Sequence, residues 1–203
     1  MKRIFTLPMA LLTSALVGAS LAQAATPSGA TAGSSPVAAS SPTRFVPLQS
    51  RVRPDDLSAF PSSQISLQDA VTAAATDSGG IPVDAIFRAG ESHPHYLVWL
   101  TKDGRVYHSI VDAQSGRVTE AMHGLPLHRL NPSERANVMA VAHAKAGLAD
   151  AIAIAARDTG DKPIAGYLAE SEGMRAYHIA IVENGALKSV WISPDNPSIV
   201  ASK

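Results

Sequence analysis

Residues 102–118 read KDGRVYHSIVDAQSGRV, and this stretch twice places an aspartate shortly before a glycine. Asp103 directly precedes Gly104, and Asp112 stands four positions before Gly116. Such an aspartate is either a reactive carboxylate or the residue that a tight turn favours, because its side chain bonds nearby backbone amides. Further along the chain, Asn184-Gly185 repeats the first step without a charge. The sequence therefore predicts turns at these positions and not an acidic site.

The residues on both sides of Asp103-Gly104 predict a β-hairpin. Asp-Gly between two apolar, β-rich runs is a strong signal for a two-residue loop. This loop places Trp99 opposite His108 on the paired strands. The same interpretation of residues 177–192, around Asn184-Gly185, places His178 opposite Trp191.

Alternation along these strands assigns each side chain to one of two faces. One face is apolar enough to meet helices and carries Tyr96, Val98, Leu100, Val111, Tyr177, Ile179, Ile181 and Ile192. The opposite face is less polar than a solvated face should be. It carries Leu97, Trp99, Val106, His108, Ile110, His178, Ala180, Val182, Leu187 and Trp191. Either this second face packs within the protein, or it binds a partner.

The chain repeats itself at an offset of 81 residues, so that residues 65–118 align with residues 146–199 without a gap. Tyr96 and Tyr177 are one identical pair. We interpret the two segments as copies of one supersecondary unit. Each copy begins with a predicted helix that ends at a glycine, and a further helix should begin at Asn131-Pro132 and break near Gly147.

The N-terminus predicts export. Residues 1–24 combine Lys2 and Arg3 with an apolar run and an Ala-x-Ala cleavage site, which indicates a cleavable signal peptide ending at Ala24. A membrane anchor is the alternative interpretation. Residues 25–63 are rich in Ala, Ser and Pro and predict a flexible linker, of which the second part could instead lie along the folded body as an arm. Two domains follow, over residues 64–124 and 131–200.

Composition excludes several classes of function. Removal of the signal peptide leaves 15 basic and 17 acidic side chains, which offers no electrostatic footprint for nucleic acid or for anionic lipid. The chain has no cysteine, so disulfides, thiolate catalysis and cysteine-based zinc sites are excluded. No later segment is apolar enough to span a membrane, and we expect a periplasmic or secreted protein without stable membrane insertion.

The first unit resembles the PepSY domain family. A helix, a strand that begins at Tyr96, the Asp103-Gly104 turn and a strand that ends Asp112-Ala-Gln-Ser-Gly-Arg-Val118 match its pattern. The second copy keeps the helix, Tyr177 and Asn184-Gly185 but replaces the ending with Ser193-Pro-Asp-Asn-Pro. The resemblance implies an α+β module of a helix on an antiparallel sheet, present in propeptides of thermolysin-like peptidases and in many exported bacterial proteins. It also implies binding or restraint of a protein, commonly a peptidase, and not catalysis.

The motifs favour a binding protein over an enzyme. HExxH, G-x-S-x-G, P-loop and G-x-G-x-x-G motifs are all absent, although a triad of scattered side chains cannot be recognised by order alone. We therefore expect a non-enzymatic module, without cofactor, that binds, inhibits or regulates a peptidase or another envelope protein. The predicted contact residues are Trp99, His108, His178 and Trp191, with strand addition at the hairpin edges as a further mode.

A metal site is the alternative function. His93-Pro94-His95 forms an H-x-H motif in the loop before the first predicted strand, with Glu91 two positions upstream. Imidazoles with a carboxylate suit zinc or copper. The second copy has Met174 and Ala176 in place of the two histidines, so this site would belong to the first copy alone.

Overall fold

The computed structural model describes residues 51–121, 124–171 and 173–202. Within these ranges the helices are α1 (Pro54–Ala59), α2 (Leu67–Ser78), α3 (Pro132–Val141) and α4 (Leu148–Thr159), with short 3-10 turns at Phe60–Ser62 and Leu127–Arg129. The first strands are β1 (Ile81–Arg88), β2 (His95–Lys102), β3 (Arg105–Asp112), β4 (Val118–Ala121) and β5 (Leu125–Pro126). The later strands are β6 (Lys162–Ser171), β7 (Met174–Glu183), β8 (Ala186–Ile192) and β9 (Ile199–Ser202).

All the strands of the described residues join one antiparallel sheet. Its order is β4-β3-β2-β1-β6-β7-β8-β9, and β5 pairs with β3 outside this path. The predicted α+β class is therefore confirmed. The two predicted domains, residues 64–124 and 131–200, both contribute strands to this one sheet. The central strands β1 and β6 pair directly, with Ala85 opposite Gly166. This pairing joins the strands of both predicted domains in one sheet.

The two predicted hairpins form in the expected register. Trp99 lies opposite His108, and His178 lies opposite Trp191. Asp103 and Asn184 both adopt a positive φ, at 49° and 52°, and the glycine that follows each does the same. Two successive positive φ angles are what a two-residue hairpin turn of this twist requires. The role of the first aspartate is thus conformational.

Asp112 also works as a turn residue. Its Oδ1 accepts hydrogen bonds from the amides of Gln114 and Ser115, at 3.2 and 2.7 Å, and from the Ser115 hydroxyl. Gly116 then takes a positive φ of 73°. Because the Ser115 bonds favour the ionised form, they hold the pKa of the Asp112 carboxyl below its ordinary value.

Helices α2 and α4 end at the predicted glycines, and α3 begins at the predicted Asn131-Pro132. Ser66 caps α2 and accepts a hydrogen bond from the Asp69 amide, while Gly79 ends the helix in the left-handed conformation. Asn131 caps α3 in the same manner, with Pro132 in the first turn. The predicted break falls at Gly147, which precedes α4.

Strands β1 and β6 were not expected as strands. Each begins close to a proline, Pro82 or Pro163, and a proline within an apolar run argues against a central strand because it lacks an amide donor. The structure accommodates both prolines with an irregularity in pairing that lies directly after them. The chain can therefore place these two strands at the centre of the sheet.

The core lies between the sheet and helices α2 and α4, which contact the strands of the first and second segments respectively. Tyr96 and Tyr177 are fully buried on this side. Their hydroxyls donate to the carbonyls of Ile65 and Ala146, at 2.8 and 2.9 Å. The elements of residues 67–121 and 148–202 thus follow the same order and share this bond at the same offset.

The predicted linker extends too far toward the folded body. Residues 51–63 include α1, and Val52 and Phe60 are buried in the core. Because these apolar side chains pack in the core, residues 51–63 form an ordered arm. The predicted signal peptide and residues 25–50 of the predicted linker lie outside the described residues. Among the helices that the structure describes, none is long and apolar enough to cross a bilayer.

Candidate binding surface

The sheet has a second face, opposite α2 and α4, that we call the outer face. Its central side chains Ile86 and Ala165 are buried, and helix α3 contacts the two strands that carry them. Arg51 of the arm also reaches this face, where it pairs with Asp84. Trp99 and Trp191 are partly buried on either side of the centre.

Trp99 and His108 form one aromatic pair on the outer face. Their ring centroids lie 6.4 Å apart at an angle of 50°, and both side chains remain half-buried. Neither ring is enclosed by the protein, so both can contact a further molecule. The predicted roles of Trp99 and His108 as contact residues are compatible with this geometry.

His178 and Trp191 form a tighter pair. Their rings are stacked at 4.2 Å with an angle of 3°, and the Tyr167 ring lies 5.8 Å from the imidazole. His178 is only 8% exposed, and its burial lowers its pKa to about 4, so the imidazole is neutral at pH 7. His178 lies buried against the ring of Trp191, which is the more accessible of the two, and its role as a contact residue stays a prediction.

Arg51 of the arm lies over the outer face between two aromatic rings. Its guanidinium carbon is 5.5 Å from the ring centroid of Trp99 and 5.5 Å from that of Tyr167. Two hydrogen bonds, of 2.7 and 3.1 Å, join its terminal nitrogens to the two oxygens of Asp84. Burial raises the pKa of the Asp84 carboxyl, and the adjacent guanidinium opposes that rise. We call Asp84, Trp99 and Tyr167 the guanidinium cage.

The arm is fixed to the sheet just after Arg51. The carboxylate of Asp56 is fully buried and accepts hydrogen bonds from Arg53, from Arg88 at 2.8 Å and from the Ala89 amide at 2.9 Å. Arg88 also donates to the Arg51 carbonyl at 2.7 Å. These bonds hold the backbone of residue 51 independently of what its side chain contacts.

Arg51, Asp84 and Tyr167 were missed by sequence reasoning. A signal for Asp84 exists, because it is a single carboxylate within the apolar run of residues 81–87 and a buried carboxylate requires a cationic partner. Nothing in the sequence identifies Arg51 as that partner, because thirty-three residues separate the two. Tyr167 could be assigned to this site only from the pairing of β6 with β1, which places it opposite Asp84.

The alternative metal residues lie in the loop between β1 and β2. The Nδ1 atom of His95 lies 3.1 Å from the carbonyl oxygen of His93, and both His93 and Glu91 are exposed. In the part of the chain that the structure describes, no three His, Cys, Asp or Glu side chains are grouped so as to hold a metal ion. The zinc or copper site remains a prediction from sequence alone.

Helices α2 and α4 on one side of an antiparallel sheet, with aromatic side chains on the other side, define an α+β protein with a candidate surface for binding. Comparison with known families gives a more specific result. Residues 64–122 match the family model described as "Peptidase propeptide and YPEB domain", abbreviated PepSY. The chain carries a PepSY domain over these residues, as the first hairpin and the Asp112 turn indicated.

The other comparisons add little. No curated protein matches the chain. A crystal structure of a protein from Clostridium difficile 630, provisionally described as a lipoprotein, is similar with 16% sequence identity and a TM-score of 0.41. The similarity covers 70% of this chain and 93% of that one.

Proposed function

We propose that this chain is an exported, non-enzymatic binding protein that uses the outer face of its sheet to bind, inhibit or regulate a peptidase or another envelope protein. PepSY domains are generally non-catalytic modules of protein interaction, which supports the class. The observation that carries the proposal is that Trp99 and Trp191 on the outer face are only partly buried. Half-exposed aromatic rings are typical of the anchor residues of protein interfaces.

The proposal extends to residues 146–202 as a divergent second PepSY-like unit. Helix α4 begins 81 residues after α2, and Tyr177 repeats the hydrogen bond of Tyr96 at the same offset. The family match ends at residue 122, so this assignment depends on the structural correspondence. Two fused units give a wider outer face than one unit could offer.

Export follows from the predicted signal peptide and from the usual location of PepSY proteins outside the cytoplasm. An exported protein without cysteine relies on its core and its ion pairs for stability, as the buried Asp56 network illustrates. The periplasm or the extracellular space is the expected place of action.

Site-specific photo-crosslinking in the exporting cell tests this function. A crosslinking residue at His108 samples the outer face, and the matched control at exposed Thr76 samples helix α2. We expect a partner that crosslinks from His108 and not from Thr76. With that partner purified, the double change Trp99→Ala and Trp191→Ala should weaken binding by tenfold or more, since each aromatic anchor contributes about 1–2 kcal/mol or more. Equal crosslinking from both positions, or unchanged affinity in the double variant, would show that the outer face is not the interface.

A further inference from the structure

We propose that the guanidinium cage is an arginine-binding site, filled within the chain by Arg51, and that a partner polypeptide binds there by exchanging its own arginine side chain for Arg51. This inference rests on the proposed function in one respect, namely that a polypeptide meets the outer face. The inference identifies the group that binds to this face as the guanidinium of an arginine side chain.

The cage provides the contacts that a guanidinium needs. Asp84 is 3% exposed and presents both carboxylate oxygens, in the bidentate geometry that arginine satisfies and lysine does not. Trp99 and Tyr167 each place a ring 5.5 Å from the guanidinium carbon, within range of a cation–π interaction. A buried carboxylate without this cation would be strongly disfavoured, so the cage favours occupation.

Exchange is possible because only the side chain of Arg51 needs to leave. Its backbone carbonyl stays bound to Arg88, and Val52 stays buried in the core. Replacement of one guanidinium by another keeps Asp84 paired and both aromatic contacts filled. These three contacts of the cage are therefore retained when a second arginine enters, and the arm does not have to detach.

The resident side chain competes with any free ligand. An attached group acts at an effective concentration in the millimolar range or above, so a small arginine ligand must overcome that concentration in the wild-type protein. A partner with additional contacts to Trp191 or His108 gains the affinity that displaces Arg51. Removal of Arg51 should expose the binding capacity of the cage directly.

The test uses the full mature chain and Nα-acetyl-arginine amide as the probe. We expect the Arg51→Ala variant to bind this probe saturably, with one site, and at least tenfold more tightly than wild type by titration calorimetry and tryptophan fluorescence. The neutral isostere Nα-acetyl-citrulline amide should bind at least tenfold more weakly than the arginine probe. The double variant Arg51→Ala with Asp84→Asn should lose binding. Arg157→Ala removes an exposed ion pair with Asp158 and is the matched control that should behave as wild type.

Several outcomes would overturn the inference. It fails if folded Arg51→Ala binds the arginine probe no more tightly than wild type, or if citrulline binds equally well. If Arg51→Ala folds poorly, Arg51→Lys is the second variant, because it keeps the charge but not the bidentate geometry. Folded Arg51→Lys should bind the arginine probe more tightly than wild type does. Absence of that gain would also overturn the inference. Failure of the cage leaves the crosslinking result from His108 intact. A functional cage without a crosslinked partner would refute the proposed function and the exchange with a partner, and would leave only the arginine-binding site.

Discussion

The N-terminal arm should be part of the folded unit, and Asp56 tests this most directly. We consider Asp56→Ala, with Asp55→Ala as the matched control one residue away. Asp56 is fully buried and accepts five hydrogen bonds, whereas Asp55 is exposed. If the arm were a loosely attached linker, the two substitutions would have equally small effects on the free energy of unfolding.

The expected magnitude follows from the partners of Asp56. Arg53 is more than half exposed, so water replaces much of what its bonds provide. The Ala89 amide loses its bond at 2.9 Å, and Arg88, only 21% exposed, loses a charge-assisted bond at 2.8 Å. Loss of such bonds costs about 1–3 kcal/mol each before rearrangement, so we expect Asp56→Ala to lower the free energy of unfolding by about 2–4 kcal/mol. Asp55→Ala should change it by about 0.5 kcal/mol or less.

Urea denaturation followed by circular dichroism measures both changes. The pH dependence gives a second signature. Burial alone would raise the pKa of Asp56, but the hydrogen bonds from Arg53, Ala89 and Arg88 outweigh it and leave the pKa below its ordinary value. A lowered native pKa stabilises the fold above the unfolded pKa of about 3.9, and this stability is lost as the pH falls through the native pKa. The difference in the free energy of unfolding between wild type and Asp56→Ala should therefore become smaller as the pH falls from about 5 toward 3. A cost for Asp56→Ala equal to that for Asp55→Ala would refute the reasoning.

Two further predictions concern the core. Tyr177→Phe should lower the free energy of unfolding by about 1–2 kcal/mol. Tyr96→Phe should cost less, because Ser63 still donates to the Ile65 carbonyl when the Tyr96 hydroxyl is removed. A larger cost for Tyr96→Phe in urea denaturation would contradict this. Ser109 carries a buried hydroxyl that makes no hydrogen bond within the described residues. Ser109→Val should therefore raise the free energy of unfolding by about 1 kcal/mol, and with it the midpoint of thermal unfolding. A lowered midpoint would show that the hydroxyl is satisfied.

Sequence reasoning was most accurate where local chemistry decides the conformation. Asp103-Gly104 and Asn184-Gly185 predicted the turns and the register of both hairpins, because only a few residues tolerate positive φ. The caps at Ser66 and Asn131 predicted where the helices begin for a similar reason. These features depend on residues within one turn of each other.

The long-range arrangement could not be read in this way. Strands β1 and β6 hold the two segments together, yet their prolines argued against strands, and no local signal shows that an irregularity will absorb them. The sequence left the arm open as an alternative to a flexible linker, because its few apolar side chains do not show which partners they have on the sheet. Trp99 and Trp191 were placed on the correct face, but the cage required Arg51 and Tyr167, which come from distant segments.

The two segments agree on one face of the sheet and differ on the other. On the helix side most corresponding residues are alike: Tyr96 with Tyr177, Val98 with Ile179, Leu100 with Ile181, and Val111 with Ile192. Tyr107 with Lys188 and Ser109 with Val190 are the exceptions on these strands. On the outer face they are unlike: Asp84 with Ala165, Leu97 with His178, Trp99 with Ala180, and Ile110 with Trp191. Packing against a helix demands the same shape from both segments, since a core tolerates little change in volume. The outer face does not pack against α2 and α4, and the cage and the two different aromatic pairs make it asymmetric. For the binding function proposed above, we therefore expect one partner in one orientation, at a ratio of one to one.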